Sequence, residues 1–97
     1  MEKHSTFKQQ NRTKQQDNTI AVEKITTSLH RGELDMATLL VAHHVKQRRP
    51  TNSADIAAAT EESYSICART YEEIYGDRER FEAMWAGVED GLKRIFP

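Results

Sequence analysis

Apolar residues fall at steps of three and four along most of this chain, the spacing that lines one face of an α-helix. The first such run holds Ile20, Val22, Ile25 and Leu29, preceded by Asp17, Asn18 and Thr19. Those short polar side chains can cap exposed backbone N–H groups, so a helix is expected over about 18–31. His30 and Arg31 put positive charge in its last turn, and Gly32 stops it. A second helix is expected over 33–49. Its residues Leu34, Met36, Leu39, Leu40, Val41, Ala42 and Val45 give the widest apolar face of the chain, which places this helix at the centre of the fold. Lys46, Arg48 and Arg49 complete its last turn, and Pro50 forbids continuation because the residue before a proline disfavours helical geometry.

Thr51-Asn52-Ser53 is a restart signal in which Asn52 or Ser53 caps and Asp55 brings a favourable charge to the first turn. Ile56, Ala59, Tyr64, Cys67, Ala68, Tyr71, Ile74 and Tyr75 can then line one continuous helix over 53–75, ended by Gly76. Asp77 caps a last helix over 78–96, carrying Phe81, Met84, Trp85, Val88, Leu92, Ile95 and Phe96 on one face. Gly87 and Gly91 weaken that helix by ~1 kcal/mol each relative to Ala. They are either tolerated surface glycines or a flat strip that another backbone can approach closely. No segment alternates apolar and polar residues, so the fold class is all-α, a small antiparallel bundle of three to four helices. Residues 1–17 are polar and show no period, and are expected to form a disordered arm ahead of a single helical domain over 18–97.

Composition sharpens this picture. A 97-residue chain that is 37% hydrophobic and 30% charged has a thin core, and chains of this size regain stability by docking on a partner or a second copy. The net charge of −1 hides an asymmetry. Residues 1–50 hold nine Lys/Arg and five Asp/Glu, whereas residues 51–97 hold five and ten. Six of the seven aromatic residues also lie in the second half, with only Phe7 in the first. A basic, polar front and an acidic, aromatic rear read first as a tail ahead of a core, and alternatively as a dipolar molecule that steers onto a charged partner. The single cysteine, Cys67, excludes an internal disulfide and fits a reducing compartment. No apolar run matches a signal peptide or a membrane span, so a cytoplasmic location without a membrane partner is expected, and compactness without disulfides suits a bacterial or phage gene.

The segment 39–74 runs LLVAHHVKQRRP, TNSADIAAAT, EESYSICARTYEEI. It resembles the helix–turn–helix of small bacterial regulators, with Ile56, Ala57 and Ala58 matching the second helix and Ser63, Ser65, Cys67 and Arg69 opening the third. The resemblance implies DNA binding, with Ser63, Tyr64, Ser65 and Arg69 toward base edges and Lys46, Arg48, Arg49 and the basic arm on phosphates. The segment departs from the pattern at the turn, where Glu61 and Glu62 replace a glycine and an apolar residue. Both are good helix formers, so nothing compels a break.

No catalytic or metal chemistry is expected. His43 and His44 are neighbours and point about 100° apart on a helix, so they cannot share one metal in the i, i+4 manner. Cys67 on an apolar face reads as a small core residue, and no glycine-rich phosphate loop or cofactor motif is present. The leading expectation is a non-enzymatic regulatory or inhibitory adaptor that binds a larger protein. Its contacts would come from the aromatic and acidic face of the last two helices, through Tyr64, Tyr71, Glu72, Tyr75 and Trp85. A DNA-binding regulator is the alternative, and a homo-dimer is compatible with either. The two part at Glu61–Ser63, where an unbroken helix leaves the second without a recognition helix.

Overall fold

A computed structural model describes residues 21–97, and every described element is an α-helix. The expected arm over 1–17, the cap at 17–19 and Ile20 lie outside the described residues. Helix α1 covers 21–31, α2 Leu34–Gln47, α3 Ser53–Tyr75 and α4 Arg78–Ile95. Tyr71 meets Phe81 and Tyr64 meets Trp85, so α3 and α4 run antiparallel about the Gly76-Asp77 turn. Leu34 faces Gly87 and Thr38 faces Gly91, so α2 and α4 run in the same direction. The result is an antiparallel bundle.

The helix ends follow local chemistry. Gly32 takes a left-handed φ of 76°. Its N–H donates to Leu29 O at 3.1 Å and Glu33 N–H donates to Ser28 O at 2.8 Å, the paired bonds of a Schellman stop. Arg80 closes the same end by donating from Nη2 to His30 O at 2.7 Å. The second helix stops at Gln47, two residues short of expectation. Arg49 has already turned to a left-handed φ of 53° before Pro50, where a non-glycine residue costs roughly 1–2 kcal/mol. Asn52 caps α3 by accepting from Asp55 N–H at 2.8 Å. Asp55 in turn accepts from the Thr51 N–H and hydroxyl, bonds that hold its carboxyl below the usual carboxylate range. Gly76 ends α3 at a φ of 62°.

The core is one cluster: Ile25 and Leu29 from α1, Ala37, Val41, Ala42 and Val45 from α2, Ala59, Cys67, Ala68 and Tyr71 from α3, and Phe81, Trp85, Val88 and Leu92 from α4. Its large members are aromatic and stand near the Gly76 turn. Phe81 lies 5.5 Å from Tyr71, 5.7 Å from Trp85 and 5.6 Å from Tyr64, ring centre to ring centre. These are the offset and edge-to-face separations that aromatic quadrupoles favour.

Two expectations are corrected here. The broad apolar face expected of α2 is only half used: Ala37, Val41, Ala42 and Val45 are buried, whereas Met36 and Leu39 stay 51% and 61% exposed. Its neighbours α3 and α4 cover one side, and seven apolar positions span more arc than that side offers. Ile74, assigned to the apolar stripe of α3, is likewise exposed. Gly87 and Gly91 are not surface glycines. A Cβ on Gly87 would stand 2.8 Å from Leu34 Cδ1, and one on Gly91 would stand 2.7 Å from Thr38 Cγ2. They form the seam along which α2 lies close against α4.

The two glycines should respond differently to alanine. Leu34 is flexible and only half-buried, whereas Thr38 is buried, β-branched and tied by its hydroxyl to Leu34 O at 2.7 Å. Gly91→Ala should therefore cost about 1–3 kcal/mol despite better helix propensity, and Gly87→Ala should be near neutral. Urea unfolding of both variants checks this; equal stability changes would contradict the seam.

Candidate interaction surface

Beyond the aromatic cluster α3 and α4 cease to fill the space between them. The first two turns of α3 are largely exposed, with Ser53, Ala54, Asp55, Ala57 and Ala58 all open to solvent. Between this overhang and the C-terminal half of α4 lies a groove of ≈ 1100 Å³. Its apolar lining comes from Ile56 and Tyr64 on one side and Trp85, Leu92, Ile95 and Phe96 on the other. Glu61, Glu82, Glu89 and Lys93 also line it, three carboxylates to one ammonium, a formal balance of −2.

Tyr64 marks the closed end. Its hydroxyl donates to Glu82, and Arg78 Nε donates to the same Glu82 oxygen at 2.9 Å, so one phenol is held between the two helices. The Tyr64 and Arg78 bonds hold the Glu82 carboxyl below the usual range and raise the Arg78 guanidinium. Glu61 and Glu89 form no salt bridge among the described residues. Behind the groove Lys46 of α2 sits 5.9 Å from the centre of the Phe96 ring, within cation–π range.

The residues expected to bind a partner do not form one surface. Tyr64 and Trp85 come together, 5.6 Å apart and edge to face, at the groove, where Tyr64 is half-buried and Trp85 is only 2% exposed. Tyr71 is fully buried. Its phenol lies 3.2 Å from His30 Nδ1, and burial pushes its pKa up. Tyr75 stacks on His30 at 3.8 Å, at the opposite end of α3. Glu72 is exposed on α3 and does not line the groove. The groove residues that pattern reading missed are Ile56, Leu92, Ile95, Phe96, Glu61, Glu82 and Glu89. The available signal was an apolar stripe on α4 that continues three residues past Leu92, farther than a thin core requires.

The DNA-binding set is divided more sharply. The third helix is unbroken from Ser53 to Tyr75, with no turn at Glu61–Ser63, because the helix formers Glu61 and Glu62 stand where the helix–turn–helix has a glycine and then an apolar residue. The segment 39–74 is therefore not a helix–turn–helix. Ser63 is 2% exposed, and its hydroxyl donates to Ala59 O at 3.1 Å while meeting His44 Nδ1 at 2.7 Å. Arg48 pairs with Glu62. Ser65 and Arg69 do face solvent, on an outer side of α3 shared with Glu61, Glu72 and Glu73, carboxylates that repel phosphate. Lys46 lies in the last turn of α2 and Arg49 just beyond its end.

Among the described residues no three His, Cys, Asp or Glu side chains converge as metal ligands, and no helix is long and apolar enough to cross a membrane. Cys67 is buried, which pushes its thiol up to about 12 and leaves it protonated at neutral pH. Comparison with protein-family models, curated proteins and solved structures finds no match to this chain.

The His44–Ser63 contact holds α2 against α3 beside the groove, and its energetics depend on pH. Burial first, then the Arg48 charge, lowers the His44 pKa. The unfolded chain thus binds a proton at His44 more readily, so this contribution is complete above the unfolded value near 6.5 and is lost as pH falls below it. His44→Asn keeps a side-chain N–H near Nδ1 and should flatten that slope in urea unfolding between pH 7.5 and 5.5. An unchanged slope would contradict the assignment.

Proposed function

We propose that this protein is a non-enzymatic regulatory adaptor that grips a segment of a larger protein in the α3–α4 groove. The observation that carries the reading is the set of half-buried apolar side chains Ile56, Tyr64, Ile95 and Phe96 lying over the buried Trp85 and Leu92, bordered by Glu61, Glu82 and Glu89. Apolar side chains at the mouth of an open groove lower their free energy when another apolar surface covers them, at roughly 25 cal/mol per Å². The carboxylate border selects what covers them: a stretch of chain with bulky apolar side chains beside Lys or Arg. Tyr64 is a half-buried rigid ring of the type that anchors binding energy, already fixed by Phe81, Trp85 and Glu82 before a partner arrives.

A non-catalytic role is favoured by the side chains themselves. The groove holds no cysteine, histidine or serine nucleophile–base pair, and Cys67 is sealed in the core. Glu61 and Glu89 stand exposed at the rim and serve as charge, and Glu82 is held by Tyr64 and Arg78 at the closed end. The DNA alternative loses the recognition helix on which it rested, and the protein-binding reading is preferred for that reason.

Selection of random peptides displayed on phage against the whole chain tests the proposal. Enriched peptides should combine an aromatic or large aliphatic residue with neighbouring Lys or Arg. They should bind about tenfold more weakly to Ile56→Asp and to the Glu61→Lys/Glu89→Lys double variant, a loss of about 1.4 kcal/mol. Peptides that are acidic, or that ignore both variants, would contradict it. So would duplex DNA bound at low salt with an affinity that falls on Arg69→Ala.

A further inference from the structure

We propose that the outer strip of α2 is a self-association surface, on which a second copy of this chain lays its own α2 antiparallel about a two-fold axis. The strip is separate from the groove, since none of Met36, Leu39, Leu40 and His43 lines it.

The sequence of α2 places the strip. At 3.6 residues per turn, Met36, Leu39, Leu40, His43 and Gln47 fall within an arc of about 100°, opposite the buried Val41 and Val45. Met36 and Leu39 are 51% and 61% exposed, His43 and Gln47 are also exposed, and Leu40 is half-buried. No Lys, Arg, Asp or Glu of α2 falls within this arc. The water-facing side of a helix is where charges normally collect. An uncharged strip of about three turns, carrying Met and Leu, is instead a face suited to contact.

Charges at the two ends of the strip name its occupant. The N-terminal end carries Glu33 and Asp35 against Arg31 at the end of α1, a balance of −1. The C-terminal end carries Lys46, Arg48 and Arg49, of which Arg48 is taken by Glu62, a balance of +2. A helix acidic at one end and basic at the other complements an antiparallel copy of itself, whereas a parallel copy sets acid on acid and base on base. The register agrees. Asp35 and Lys46 lie on the same edge of the strip, about 20° apart around the helix and about 16 Å apart along it. A two-fold axis crossing α2 near Leu40 keeps like edges together, so Asp35 meets the partner's Lys46 and Lys46 meets the partner's Asp35. The same register lays Leu39 on the partner's His43 and Leu40 on the partner's Leu40. Neither Asp35 nor Lys46 forms a salt bridge among the described residues, and Lys46 is engaged by the Phe96 ring at 5.9 Å.

One helix on one helix is a small contact, at the low end of specific interfaces, under about 1,200 Å² in total. The dimer is therefore weak and reversible, with a Kd in the micromolar range or above. Two copies joined through α2 present two grooves, so a partner with two matching segments is held with avidity.

Sedimentation velocity of the full chain between about 10 μM and 1 mM tests this. The expected result is a concentration-dependent equilibrium of monomer and dimer. Leu39→Glu, at a side chain already 61% exposed, should keep the helical circular dichroism of the parent and stay monomeric throughout. Asp35→Lys and Lys46→Glu each set two like-charge contacts in a homodimer and should weaken association about tenfold. Mixing these two variants restores opposite charges at both contacts, as does the double variant Asp35→Lys/Lys46→Glu. Both should regain the parent's association. A parent chain that stays monomeric across the whole range would overturn the proposal. So would a dimer that persists with Leu39→Glu, or single reversals that neither mixing nor the double variant rescues. The peptide selection that tests the groove reads Ile56, Glu61 and Glu89, which none of these variants alters, so either proposal can fail alone.

Discussion

The structure depends on one aromatic cluster at the closed end of a helical hairpin. Phe81 sits among Tyr71, Trp85 and Tyr64, and through them joins α3 to α4 next to the Gly76 turn. Around it the small core is built from alanine, valine and cysteine, with Ile25, Leu29 and Leu92 the only larger aliphatics among its buried members. Three or four rings thus supply most of the large buried area available to so short a chain. First and third helices are drawn to the same place: His30 stacks on Tyr75, touches the Tyr71 phenol, and lends its carbonyl to Arg80.

That concentration at one end sets what happens at the other. A 23-residue helix is roughly 34 Å long, against about 21 Å for the 14 residues of α2 and about 27 Å for the 18 of α4. The C-terminal end of α2 meets the middle of α3, through His44 on Ser63 and Arg48 on Glu62. The N-terminal turns of α3 are left overhanging. Meanwhile Gly87 and Gly91 draw α4 tightly against α2, which commits its neighbouring face to that seam and leaves Ile95 and Phe96 half-buried beside open space. The groove is thus a consequence of unequal helix lengths, one glycine seam and a core too small to fill both ends. Its acidic border and apolar floor are what the proposed adaptor function uses.

Much of the fold was legible because its determinants are local. Gly32, Asn52, Gly76 and Asp77 stop or cap helices by short-range hydrogen bonds that residue type alone announces. The Glu61-Glu62 pair correctly raised the prospect of an unbroken third helix. Tertiary questions were less legible. Periodicity marks which side of a helix is apolar and not how much of that side a neighbour covers, so Met36, Leu39 and Ile74 were assigned inward and lie exposed. Ser63 reads as a surface residue by type, yet is buried because His44 from another helix satisfies it. The site was legible in part: Tyr64 and Trp85 were picked as amphipathic rings and do meet, whereas Tyr71 and Tyr75 were picked by the same rule and are taken up by the core and by His30. Where two helices part company is a property of three elements together, and no single stretch of sequence encodes it.

Amide hydrogen exchange tests this account most directly, because it reads the free energy of opening residue by residue. If the aromatic cluster anchors the hairpin, amides over 67–71 of α3 and 81–88 of α4 should exchange only through global unfolding. Those over 56–60 should then open locally at distinctly lower free energy. Equal protection along the whole of α3 would contradict the account, since it would mean that the groove end is held as firmly as the ring-packed end.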